Sequence, residues 1–223
     1  MDTTSQARIV VLISGSGSNL QAMIDCQQSG ELGGDIVAVI SNRPGAKGLE
    51  RATKAGIEAQ CLDHKAFADR ESFDQALQAQ IDQFQPDLVV LAGFMRILTP
   101  TFTEHYLGRM INIHPSLLPK HQGLNTHQRA IDAGDAQHGA TVHFVTAELD
   151  GGPGIVQVAV DIEAKDTSET LAQRVQYQEH YMFPLAVQWF CQGRLRLHKD
   201  GNNHVSLFDG EPLPVSGRLI KAR

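Results

Sequence analysis

Apolar runs and amphipathic stretches alternate along the first half of the chain. Ile9-Val10-Val11-Leu12-Ile13 is apolar at every position and stops at Ser14-Gly15-Ser16-Gly17, which reads as a strand buried on both faces. Leu20, Met23 and Ile24 then set helical spacing over residues 20–28. A second strand, residues 36–40, ends at the turn Ser41-Asn42-Arg43-Pro44-Gly45. A helix over 47–55 and a short strand over 59–62 follow. Residues 72–84 form an amphipathic helix with Phe73, Leu77, Ile81 and Phe84 on one side, closed by Pro86. Residues 87–92 and 110–113 are further buried strands, the second cut off by His114-Pro115. This βαβα order predicts an α/β fold with a parallel sheet covered by helices on both faces.

The pattern changes in the second half. Residues 140–145 and 155–162 read as two longer strands joined by Leu149-Asp150-Gly151-Gly152-Pro153-Gly154, an antiparallel extension of the sheet. A helix follows from 168 to about 190, with Thr167 or Ser168 as N-cap and Pro184 in its later turns. Neither a repeat nor a linker interrupts the chain, so 1–223 is expected to be one domain. Residues 1–7 form a short N-terminal extension and 198–223 a polar C-terminal tail; from Gly193 on, the chain shows short strand-like pieces and Gly-Asn turn signals.

Composition narrows the function classes. Of the 223 residues, 42% are hydrophobic and 20% charged, an ordinary globular balance. The formal net charge is −6 without long runs of one sign, which argues against nucleic acid or an anionic membrane as a partner. Cys26, Cys61 and Cys191 show no metal spacing or disulfide framework. With no basic region followed by a long apolar core at the N-terminus, the expected location is the cytoplasm.

Two segments carry candidate chemistry. Gly15-Ser16-Gly17-Ser18-Asn19 lies at the carboxyl edge of the first strand, where its N–H groups and the helix dipole can hold a phosphate. Leu20 stands where a dinucleotide fingerprint has its third glycine, and no Gly-Lys-Ser/Thr follows, so a mononucleotide-like phosphate fits better than NAD or ATP. The same residues also suit a plain tight turn with an asparagine cap. In Asn112-Ile113-His114-Pro115-Ser116-Leu117-Leu118-Pro119, Asn112 and His114 are two apart on a strand and project to one face. A carboxamide beside an imidazole can hold an oxyanion. Asp150, in its glycine-rich turn, is either a turn residue or, if the loop folds over His114, a carboxylate that favours the imidazolium.

Taken in order, these motifs resemble the phosphoribosylglycinamide formyltransferase family, also called glycinamide ribonucleotide transformylases. The likeness runs from about residue 9 to 195. It includes Leu91-Ala92-Gly93-Phe94-Met95-Arg96-Ile97-Leu98, Val142-His143-Phe144-Val145 and Arg174-Val175-Gln176 with Glu179-His180. The resemblance implies a Rossmann-like mixed sheet. It implies 10-formyltetrahydrofolate as cosubstrate and the glycyl amine of 5-phosphoribosylglycinamide as acceptor, in purine biosynthesis. It further implies Asn112, His114 and Asp150 as catalytic residues. Gly17, Ser18, Asn19, Gln176 and Glu179 would hold the ribonucleotide. Arg70, Met95, Arg96, Ile97 and Leu98, with Asn112 and Asp150, would line the folate site. The partners are small molecules, the chain is a monomer or homodimer, and no metal is needed. One departure stands out: relatives carry an aromatic near the position of His121, where this chain has His121-Gln122-Gly123.

Related readings remain. Methionyl-tRNA formyltransferases share the Ser-Leu-Leu-Pro neighbourhood, but they need a further C-terminal domain and a basic surface. A formyltetrahydrofolate hydrolase needs an extra N-terminal domain, and a non-catalytic nucleotide-binding module needs only the glycine loop. His138 and His143, five apart on one strand, point to opposite faces and form no metal motif. With His64, His105, His127, His198 and His204 they read as structural or surface residues.

Overall fold

The apolar runs become the centre of one large sheet. The computed structural model describes residues 6–223, so most of the expected N-terminal extension, residues 1–5, lies outside the described residues. The elements run β1 (Ala7–Ile13), α1 (Ser18–Gln28), β2 (Gly34–Ser41), α2 (Lys47–Lys54), β3 (Glu58–Cys61), α3 (Arg70–Asp82) and β4 (Leu88–Leu91). Then come α4 (Pro100–His105), β5 (Met110–His114), α5 (Thr126–Asp132), β6 (Gln137–Phe144), β7 (Gly154–Asp161) and α6 (Ser168–Cys191). The chain closes with β8 (Leu195–Asp200), β9 (Asn203–Phe208), β10 (Glu211–Pro212) and β11 (Ser216–Ile220).

The large sheet has the strand order β11-β7-β6-β5-β4-β1-β2-β3. Strands β3, β2, β1, β4 and β5 are parallel, and β6 is antiparallel to both β5 and β7. Each inner strand buries both faces. Ile9, Val11 and Ile13 pack with Leu20, Met23, Ala52, Met182 and Phe183, from α1, α2 and α6. Val10 and Leu12 pack with Phe73 and Leu77 from α3, Phe102 from α4 and Tyr106 just after it. Each such fully buried aliphatic side chain contributes roughly 1.5–3 kcal/mol, which is why the runs are continuous and not alternating.

Local chemistry sets the helix ends. Asp69 caps α3 by accepting from Ser72 N–H at 2.8 Å. Thr167, not Ser168, caps α6, in a reciprocal capping box with Thr170. Pro184 lies inside α6, and the helix continues through it.

Two features differ from the sequence expectation, and the tail's strand-like pieces take up defined places. Helices α4 and α5 have only 6 and 7 residues, too short for a periodic signal. Strand β6 starts at Gln137, three residues early, because pairing with β7 extends it. The tail is structured: β8, β9 and β10 form a three-stranded antiparallel sheet, and β11 joins the large sheet beside β7 in parallel. Its polarity reflects half-exposed edge strands rather than a loose end.

The topology leaves a crevice where β1 is flanked by β2 on one side and β4 on the other, the switch point at which open α/β sheets bind ligands. Ser14 fastens its rim. Its N–H donates to Gly93 O at 3.1 Å, and its hydroxyl donates to Asn42 Oδ1 at 2.6 Å. The same hydroxyl accepts from Met95 N–H at 2.7 Å, so one residue ties the loops after β1, β2 and β4.

Candidate active site

Strand β5 ends at this rim with Asn112 and His114 two residues apart. The turn between β6 and β7 carries Asp150, whose left-handed φ of 50° folds the chain back. Asp150 Oδ2 lies 3.5 Å from His114 Nδ1, with both side chains nearly buried. Oδ2 also accepts from Gly123 N–H at 2.9 Å, and the Asp150 carbonyl accepts from Gln122 Nε2 at 3.3 Å. The other nitrogen of His114, Nε2, donates to the His121 carbonyl at 3.0 Å. His114 therefore stands between a carbonyl that accepts from Nε2 and a carboxylate 3.5 Å from Nδ1. Its Nε2 is engaged, so Nδ1 is the edge left toward a reactant.

Strand β6 adds a residue that sequence reasoning set aside. His143 is the register partner of Asn112, and Asn112 Nδ2 donates to His143 Nε2 at 3.1 Å. His143 Nδ1 donates to the Phe144 carbonyl at 2.9 Å. His143 Nε2 also lies 3.9 Å from Asp150 Oδ1. That approach is not an ion pair: burial holds His143 below the usual histidine range, outweighing the pull of the carboxylate. Of the two alternatives for His143, structural or surface, its burial fits the structural one, and its ring touches Asn112. His138, on the opposite face of β6, packs on His127 with Nε2 and Nδ1 3.1 Å apart. Burial lowers its pKa to about 4.

The glycine loop and α6 meet at the amino end of α1. Gly17 is the α1 N-cap residue, left-handed with φ 68°, and no side chain caps the helix, so its first N–H groups remain open to an anion. The asparagine-cap alternative is excluded, because Asn19 turns to α6 and donates from Nδ2 to Glu179 Oε2 at 2.9 Å. Gln176 Nε2 donates to Ser18 Oγ at 3.1 Å. Gly17, Ser18, Asn19, Gln176 and Glu179 therefore form one cluster, joined across about 160 residues of chain. Burial pushes the Glu179 carboxyl upward, partly offset by the Asn19 hydrogen bond.

Residues 95–98 leave β4 outside any helix or strand. Met95 and Ile97 are 55% and 56% exposed, an unusual display of apolar surface and a ready wall for a flat aromatic ligand. Arg96 turns the other way, its guanidinium 5.4 Å from the Phe73 ring centre. Arg70 opens α3 and shares with Arg96 the field around buried Asp74, whose Oδ2 accepts from Thr99 N–H at 2.6 Å. Burial raises the Asp74 carboxyl despite both arginines. Leu98 packs into the core on the α3 side.

Residues 7–187 match the formyl transferase family. The chain is 52% identical to the phosphoribosylglycinamide formyltransferase of Escherichia coli strain K12 over 209 residues, covering 94% of this chain and 97% of that one. The chain belongs to the phosphoribosylglycinamide formyltransferase family. It is an enzyme whose activity is formyl transfer. Solved formyltransferase structures share its fold. That of Coxiella burnetii, in complex with CHES, superposes with a TM-score of 0.91 at 50% identity, covering 97% of this chain and all of that one. Glycinamide ribonucleotide transformylase 1 of Symbiobacterium toebii gives 0.86 at 43% identity, over 92% and 95%. The bovine trifunctional purine biosynthetic protein adenosine-3 is 46% identical over 196 residues, 88% of this chain but 19% of that protein.

Within this formyltransferase the catalytic candidates lie on β5 and in the β6–β7 turn, the ribonucleotide candidates at the start of α1 and on α6, and the folate candidates on the segment after β4 and at the start of α3. His143 had one signal in the sequence, its place in the Val142-His143-Phe144-Val145 motif. The signal carried no role until β6 was paired with β5. Among the described residues, no group of three or more His, Cys, Asp or Glu side chains is disposed to hold a metal, and no helix is long and apolar enough to cross a membrane.

Proposed function

We propose that this formyltransferase works through Asn112, His114 and Asp150. The formyl group of 10-formyltetrahydrofolate passes to the glycyl amine of 5-phosphoribosylglycinamide, giving the N-formyl product and tetrahydrofolate in purine biosynthesis. The observation that carries the residue assignment is the 3.5 Å approach of Asp150 Oδ2 to His114 Nδ1, beside an amide held at Asn112. The 52% identity to an enzyme of that name supports the substrates.

The neutral amine attacks the formyl carbon, and the new C–N bond places negative charge on the formyl oxygen. The N–H of Asn112 not used by His143, and the protonated Nδ1 edge of His114, donate to that oxygen. Asp150 places its negative charge 3.5 Å from that ring. Through water, it takes the proton from the new ammonium and passes it to N10 of the folate as the C–N10 bond breaks. The unsatisfied N–H groups of α1 with Ser18 hold the acceptor's phosphate, and Gln176 and Glu179 hold its ribose. Met95 and Ile97 face the pterin, backed by Leu98 and Arg96 on the α3 side, and Arg70 completes that side. This chemistry asks for no metal. The enzyme acts on small molecules in the cytoplasm, as a monomer or homodimer, without nucleic acid or membrane.

The test is to mix the protein with both substrates and follow folate deformylation by absorbance. Turnover that requires the amine supports the transferase. Turnover without it indicates a hydrolase, and binding without turnover a non-catalytic module; either result sinks the reading.

A further inference from the structure

The loop after Pro119 grips both polar partners of the site. His121 supplies the carbonyl that accepts from His114 Nε2, and two residues later Gly123 N–H donates to Asp150 Oδ2. His121 adopts a left-handed φ of 55°, a conformation uncommon for a residue other than glycine. Its side chain is anchored as well. His121 Nε2 meets Asp135 Oδ2 at 2.7 Å, with both side chains about 85% buried, and Lys120 Nζ donates to Asp135 Oδ1 at 2.8 Å. These two contacts hold the Asp135 carboxyl below the usual carboxylate range. Asp135 is rigid in turn, since its N–H donates to Ala130 O at the end of α5. Ser116 Oγ donates to the Lys120 carbonyl at 2.7 Å, and Arg129 donates to the Gln122 carbonyl at 2.6 Å, so both sides of His121 are tied down.

We propose that the His121–Asp135 pair is a positioning device for the imidazole of His114. It fixes the carbonyl that keeps Nε2 as a donor and so turns Nδ1 toward Asp150 and the reactants. The inference rests on His114 acting in the reaction, as proposed above.

The test is a double-mutant cycle on the full chain, with His121→Ala, His121→Gln, Asp135→Asn and His114→Ala, each checked for native melting behaviour. A misplacement on the order of 1 Å at a reacting group can cost about 10²-fold. The expected result is therefore a fall in kcat of about tenfold or more in His121→Ala and Asp135→Asn, with KM for both substrates within about twofold. His121→Gln, which keeps a donor for Asp135, recovers most of the loss. Asp135→Asn added to His114→Ala costs nothing further, because its effect passes through that ring. Equal losses with and without His114 overturn the proposal and leave a purely structural pair. So does unchanged kcat in Asp135→Asn while His114→Ala is inactive. If His114→Ala is itself active, the catalytic reading fails instead.

Discussion

Asn112 and His143 are direct partners across β5 and β6, and the Asn112 carboxamide donates to the bare Nε2 of His143 at 3.1 Å. With Nδ1 committed to the Phe144 carbonyl and the ring kept neutral by burial, Nε2 can only accept. The contact therefore sets which end of the carboxamide faces the reactants. If Asn112 flipped, its oxygen would meet the growing oxyanion and repel it.

Replacing His143 by Ala frees that amide. The expected outcome is a kcat lower by about tenfold or more, with KM for both substrates little changed. Steady-state kinetics, with circular dichroism to verify folding, decides it; a full-rate His143→Ala enzyme would mean that Asn112 needs no such partner.

Removing the groups at the reacting centre has larger consequences. His114→Ala and Asp150→Asn should each lower turnover by about 10²–10³, the usual cost of losing one oxyanion donor or its support. A folded Asp150→Asn enzyme with near-normal turnover would refute the role given to that carboxylate.

Glu179 links stability to pH. Burial raises its carboxyl above the unfolded value near 4.5. The folded protein therefore binds this proton more tightly than the unfolded chain does. The contribution is fully present below the unfolded value and is lost as pH rises through the folded one. Glu179→Gln imitates the protonated form. It should melt higher than the parent at pH 8 and lose that advantage near pH 4, while KM for the ribonucleotide rises. A thermal-melt series across that range measures it, and an advantage that grows toward acid would reverse the assignment.

Gly17 is constrained twice. Its φ of 68° is left-handed, and an added Cβ would sit 2.7 Å from Gly48 Cα, a backbone atom of α2 that cannot swing away. Gly17→Ala should destabilise by about 1–3 kcal/mol and weaken the ribonucleotide more than the folate. Denaturant unfolding and separate KM values test the two effects.

Much of this was legible in one dimension because strong local signals agreed. Residues 9–13 and 88–92 are apolar at every position, which only a doubly covered strand requires, and Asn112 and His114 share a face by the two-residue period of a strand. Helices α4 and α5 were missed because one or two turns carry too few apolar positions to show a period. The tail's strand-like pieces were visible, but the pairing of β11 with β7 was not, because an edge strand that keeps one side in water carries no signal for its partner. Local order along the chain thus determined the inner strands, the long helices, the glycine turn and the type of chemistry. Tertiary structure alone decided that β6 runs antiparallel to β5, which sets His143 against Asn112. It alone decided that the loop at 121–123 and the turn at Asp150 close on His114 from opposite sides. These contacts join residues far apart in the chain, and their geometry depends on strand register and on left-handed turns at His121 and Asp150, which side-chain spacing does not encode.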